Sequence, residues 1–194
     1  SDVAKTGPAV HLAMDELASH ASDLPRPAPG AGHGLAISLR AGAASAAAVL
    51  PARLPAIAIC IDDLGQDRAG TDRAIALPGA VALAFLPFAK ATPILAREAE
   101  RRGHIVLAHV PMQALGPIDP GPMALRPDTL DIAGTLAWNI ARVPGLSGIN
   151  NHEGSRFTQD SAALAAVARV LAAEHLFFFD SRTTPDTKVV TVAR

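Results

Sequence analysis

The chain has 194 residues, enough for one domain with a sizeable core, and 49% hydrophobic against 18% charged residues marks a globular protein rather than a disordered one. A net charge of −1 with no Lys/Arg block, only 4% aromatics and no Tyr leaves no footprint for nucleic acid or an anionic membrane surface. The single cysteine, Cys60, excludes an intramolecular disulfide, and no apolar run approaches the ~18 residues that a bilayer span needs.

The chain opens Ser-Asp-Val-Ala-Lys without an apolar stretch, so no signal peptide is expected within it, and a start at Ser suggests trimming. Residues 1–54 are rich in Ala, Pro, Gly and Ser and read as an N-terminal segment or linker, with residues 25–32 the clearest linker. A short helix over 10–20 and a short strand over 34–39 are expected there, but no separate domain, because too little apolar surface is available to offset ordering entropy.

From residue 55 a second regime begins and runs to 194. Apolar runs of strand length occupy 56–61, 80–85, 105–108, 146–149 and 176–179. They are near-continuous rather than alternating, as in parallel strands covered on both faces. Between them lie helical stretches. Thr92-Pro93 reads as an N-cap and first turn of a helix ending before Gly103. Asp128 is expected to cap a helix to about residue 143, and Thr158 a long Ala-rich helix over 159–174; Thr184-Pro185 opens another. Five strand–helix units predict an α/β fold, a parallel sheet or a (β/α) barrel. Five strands are too few for an ordinary barrel. The barrel reading therefore expects more strands beyond Arg194, with an open sheet as the competing architecture.

Each apolar run is followed by polar residues: Asp62-Asp63 after the first, Pro87-Phe88 after the second, His109 after the third, Asn150-Asn151-His152-Glu153 after the fourth, Asp180-Ser-Arg182 after the fifth. In parallel α/β folds the C-terminal strand ends carry the chemistry. Taken singly, each has a plainer explanation. Asp62-Asp63 can cap a loop, His109 can be a hydrogen-bonded core residue, Asn150-Asn151 can shape a turn, and Arg182 can pair with Asp180. His104 lies five residues before His109, an offset that turns it to the opposite face, and is expected at the surface. His11, His20, His33 and His175 carry no functional expectation. Together, Asp63, His109 and His152 offer one carboxylate and two imidazoles, the ligand set of a catalytic zinc-type site with an open water position. Asp62 stands beside that water as a general base.

Several segments, in order, resemble the divergent polysaccharide deacetylases, a branch of the NodB-homology superfamily: Ile57-Ala-Ile-Cys-Ile-Asp-Asp-Leu-Gly65, Phe85-Leu-Pro-Phe-Ala89, His109-Val-Pro-Met112, Gly148-Ile-Asn-Asn-His-Glu-Gly-Ser-Arg-Phe-Thr158 and Phe178-Phe-Asp-Ser-Arg-Thr-Thr184. They cover about residues 56–185. The resemblance implies a deformed (β/α) barrel, a divalent metal (zinc foremost), a carbohydrate polymer or oligosaccharide as substrate, and hydrolysis of its N- or O-acetyl groups. It also implies export to the periplasm or cell envelope. Asp62 then corresponds to the base and Asp63 to a ligand. His109 matches the first histidine of the family's His-x3-His motif, whereas position 113 is Gln, which leaves His152 as the candidate third ligand. Arg156 echoes an Arg that orients the base. The family's late general-acid histidine has no counterpart before Arg194.

The leading expectation is thus a metal-dependent hydrolase, with Asn151, Asp180 and Arg182 binding sugar hydroxyls or buttressing the ligands. The competing one is an inactive glycan-binding or envelope-organising relative, motivated by the missing His-x3-His pair. A serine hydrolase using Ser155 or Ser181 is weaker, because neither lies in a Gly-x-Ser-x-Gly elbow.

Overall fold

A computed structural model describes residues 57–193. The expectations for 1–54, including the linker, the helix over 10–20, the strand over 34–39 and His11, His20 and His33, lie outside the described residues. Five strands, β1 (Cys60–Leu64), β2 (Ala82–Phe85), β3 (Val106–Met112), β4 (Gly148–Glu153) and β5 (Phe177–Phe179), alternate with helices α1 (Arg68–Ile75), α2 (Thr92–Arg101), α3 (Ile132–Ala141), α4 (Ser161–Ala173) and α5 (Val189–Val192). All pairings are parallel, in the order β1-β2-β3-β4-β5. Sequential order of this kind is that of a (β/α) barrel wall and is consistent with a deformed barrel.

The central strand explains the near-continuous apolar pattern. All seven residues of β3 are buried, with β2 and β4 on either side. Its flanks are filled by Leu83, Phe85, Leu95, Leu136, Ile149, Phe157 and Val167. A strand covered on both faces has no solvent side on which to place polar residues. Pro111 lies within this strand, where a missing N–H would ordinarily break a ladder. Its register partner is His152, but β2 ends at Phe85, opposite Ala108. On the side that β2 has vacated, the Pro111 C=O accepts from Leu125 N (2.9 Å) and no donor is required of it.

The strands run further than the apolar pattern predicts. β1 continues through Asp62 and Asp63 to Leu64, β3 through His109 to Met112, and β4 through Asn150, Asn151 and His152 to Glu153. Polar residues expected after the strands are therefore inside them. Register fixes their neighbours: His109 pairs with Asn150 and Pro111 with His152. The caps also move. Thr92 is the first residue of α2 rather than its cap, and its hydroxyl donates to Leu86 O (2.7 Å). Asp131 rather than Asp128 caps α3, accepting from Gly134 N, and Asp160 rather than Thr158 caps α4, accepting from Ala163 N. Thr158 instead sits in a 3-10 turn (Phe157–Gln159), its hydroxyl donating to Gly154 O. The last helix begins at Val189, later than Thr184-Pro185 suggests. Helix α1, polar in composition and not singled out by periodicity, is held by Asp67, whose carboxylate accepts from Ala69 and Gly70 N.

His104 corrects another expectation. It is buried, with Nδ1 2.8 Å from Val81 O and Nε2 3.1 Å from Ile75 O. It ties the end of α1 and the turn before β2 to the start of β3.

Candidate metal centre

The site starts from a fault in β1. Its register passes from Ile61 opposite Leu83 to Leu64 opposite Phe85, three steps on one strand against two on the other. That extra residue is a β-bulge, and Asp63 within it has φ +60°. In a regular strand, consecutive side chains point to opposite faces. The bulge lets adjacent carboxylates serve one site: Asp63 reaches His109 and His152, while Asp62 reaches Asn150. A left-handed φ on an aspartate is a strained conformation of the kind that gathers at functional sites.

Three atoms converge there. Asp63 Oδ1 lies 3.0 Å from His152 Nδ1 and 3.3 Å from His109 Nε2, and the two ring nitrogens are 3.2 Å apart. These three residues form a group able to hold a metal ion. Ligands placed about 2.0–2.2 Å from a zinc ion are separated from one another by roughly 2.8–3.6 Å in octahedral or tetrahedral arrangements, which brackets the observed spacings.

Proton bookkeeping points the same way. The Asp62 carboxylate can only accept, so the Asn150 group 3.0 Å from its Oδ1 is the amide nitrogen. The Asn150 oxygen then faces His109 Nδ1 at 3.0 Å, and that nitrogen must donate. In the neutral ring, His109 Nε2 is left with its lone pair aimed at a carboxylate oxygen. Burial, the largest influence, pushes the His109 pKa below its ordinary 6.5, against the opposing pull of Asp62, and so keeps the ring neutral near pH 7. A proton on His152 Nδ1 or a cation among the three atoms would each satisfy these lone pairs, and the donor set suits a metal ion. His109 is buried, His152 partly so, and the Asp63 side chain is 65% exposed, leaving one side of the cluster open to solvent.

Cys60 offers no thiolate. Burial first, and then Asp62, push its pKa far up, and Sγ donates to Asp62 Oδ1 (3.4 Å). Arg156 is not brought to Asp62. It is exposed beside a cavity of about 210 Å³ lined also by Leu115, Pro127, Gln159 and Asp160, and its hydrogen bonds are main-chain ones, its N–H donating to Gln113 O and its C=O accepting from Gln159 N. Among the described residues, the donors to the Asp62 carboxylate are Asn150 and Cys60. Asn150, read from the sequence as a turn former, is the residue that reading missed. The signal was slight: an amide directly after the apolar run, opening the polar half of β4.

Asn151 is buried and spent on local structure, its Nδ2 donating to Glu153 O (2.7 Å) and its Oδ1 accepting from Ser181 N (2.9 Å). Asp180 is likewise occupied, accepting from Arg182 N and Thr187 Oγ1. Arg182 is exposed. Ser155 Oγ accepts from Leu115 N (2.9 Å) and is not engaged as a nucleophile.

A model of the divergent polysaccharide deacetylase family matches residues 59–194. The chain is 32% identical over 140 residues to an uncharacterized protein, YibQ, of Escherichia coli K12, covering 71% of this chain and 44% of that one. It is 33% identical over 131 residues to an uncharacterized protein of Haemophilus influenzae, covering 66% and 46%. It thus spans less than half the length of these curated relatives. The crystal structure of the uncharacterized protein ATU2773 from Agrobacterium tumefaciens superposes with a TM-score of 0.63 at 26% identity, covering 70% of this chain and 57% of that one. No helix among the described residues is long and apolar enough to cross a membrane.

Proposed function

The chain belongs to the divergent polysaccharide deacetylase family, and from that premise we propose that it is a metal-dependent hydrolase removing acetyl groups from an envelope polysaccharide or related glycan. The observation that carries this reading is the convergence of Asp63 Oδ1, His109 Nε2 and His152 Nδ1 within 3.0–3.3 Å, one bulge residue away from a second carboxylate. Asp63, His109 and His152 would hold a divalent ion, zinc foremost. When bound, such an ion supplies Lewis acidity toward the acyl carbonyl and lowers the pKa of a water toward ~7.

The chain's own residues do the rest. Asp62 takes the proton of the attacking water. Its carboxylate is held by Asn150 rather than by a cationic side chain, so it keeps acceptor capacity. His109 stays uncharged through burial and presents Nε2. Asn151 and Asp180 buttress the turn after β4 and β5, which leaves the exposed Arg182 as the sugar contact of the three. Exported, the protein would work in the periplasm or cell envelope, where such polymers lie.

A non-catalytic, glycan-binding member is the second reading, favoured by Gln113 at the position of the family's second histidine. One experiment separates them. Asp62→Asn, isosteric and unable to accept the proton, keeps bound metal and lowers the rate of acetate release from acetylated chitooligosaccharide or peptidoglycan by about 10²–10⁴-fold. Full activity in that variant ends the base assignment, and no acetate release by the metal-loaded parent protein favours the binding module.

A further inference from the structure

Asn150 is shut off from bulk solvent. It is fully buried, at the position in β4 directly opposite His109 in β3, so the sheet register sets their separation before any side chain moves. Three groups meet its amide. Oδ1 accepts from His109 Nδ1 (3.0 Å), and Nδ2 donates to Asp62 Oδ1 (3.0 Å) and lies 3.4 Å from Ser181 Oγ. A turn-forming asparagine would sit at a strand end with its amide on its own backbone. This one sits inside a strand and spans two others.

We propose, resting on the hydrolase reading, that Asn150 is a positioning residue with two separable tasks: its oxygen fixes His109 as the Nδ1–H tautomer, and its nitrogen aims the Asp62 carboxylate. The tasks are linked by one planar group. Because Asp62 can only accept, it fixes which end of the amide faces it, and the other end then dictates where the His109 proton resides. Base and ligand are oriented by the same side chain, so neither can rotate without breaking its bond to that amide. A histidine ligand whose second nitrogen donates to a neighbouring oxygen is the usual way of holding such a ring. Here the oxygen belongs to a group that also holds the base.

The tasks come apart in two variants. Asn150→Asp still accepts from His109 Nδ1–H but sets a second carboxyl group against Asp62, so that the two either repel or share a proton, and in both cases Asp62 is lost as a free base. Asn150→Leu, of similar size, neither accepts nor donates. In titrations of the metal-free chain with Co²⁺, followed by its visible absorption, Asn150→Asp binds at least as tightly as the parent. Its kcat for acetate release falls by about tenfold or more with KM little changed. Asn150→Leu loses about 10–100-fold in cobalt affinity. In ¹⁵N spectra of metal-free protein, His109 is the Nδ1–H tautomer in the parent and in Asn150→Asp, and a tautomer mixture in Asn150→Leu. Equal loss of cobalt affinity in both variants, or parent-like kcat in Asn150→Asp, overturns the proposal. Should Asn150→Leu fail to fold, Asn150→Asp alone still decides, since bound cobalt with lost turnover is required of it. A parent protein that binds no cobalt overturns the hydrolase reading instead, and with it the aiming of the base. The tautomer spectra then still decide the His109 task.

Discussion

Asp63 shows how much one backbone irregularity carries. Its φ of +60° is costly for a non-glycine residue, yet the bulge it belongs to puts two adjacent carboxylates on one site. Sequence made the carboxylates visible because charged residues directly follow an apolar run, where burying them without partners is expensive. It could not show the bulge, since register is a property of two strands. His109 and His152 were legible for the same reason as the aspartates. Asn150 was not, because a neutral amide after an apolar run is far more often a turn. His104 was misread for another reason. The five-residue offset correctly separates it from the face of His109, but the opposite face here is covered, not wet. Its two ring nitrogens meet main-chain carbonyls of Val81 and Ile75. His104→Leu, which removes the ring's contacts with these carbonyls at similar volume, is expected to destabilise the chain by about 1–3 kcal/mol in urea unfolding. Metal affinity should not change, since the residue stands five positions up the strand from the nearest ligand.

At the scale of elements, each apolar run located a strand, although β1 starts four residues into its run, and the ends were wrong by three or four residues where the site lies. Hydrophobicity reports burial in the core, whereas pairing continues for as long as a neighbouring strand offers register. β3 and β4 stay paired out to Met112 and Glu153, through His109 on one strand and Asn150, Asn151 and His152 on the other. The caps of α3 and α4 erred by three and two positions, because several Asp and Thr residues stand near each start and only backbone geometry selects among them. Asp160, extended at φ −94° and ψ 108°, can accept from Ala163 N, whereas Thr158 is already turning. At the base of the site, Gly148 lets β5 approach β4. A Cβ there would stand 2.5 Å from Phe177 O, a backbone atom that cannot swing aside. Gly148→Ala therefore pries the two strands apart and is expected to cost about 1–3 kcal/mol. Loss of amide protection in Phe177–Phe179 by hydrogen exchange would report it, with β1 and β2 unaffected.

For the whole molecule, alternation and near-continuous apolar strands were enough to give a parallel α/β fold, and the sequential strand order agrees with a barrel wall. What composition could not give is how three distant segments meet. Asp63 and His109 are 46 positions apart and His109 and His152 another 43, yet parallel strands all ending on one side bring them within 3.0–3.3 Å. The account rests on that meeting place holding a cation. An ion bound there stabilises the fold by mass action, by about 2.7 kcal/mol at a free concentration of 100 times Kd. The most direct test is elemental analysis of protein stripped with a chelator and then dialysed against Zn²⁺, beside Asp63→Ala and His152→Ala treated identically. One ion per chain in the parent, and background in both variants, is the predicted result. A parent that retains no ion, or variants that retain as much as the parent, would contradict it.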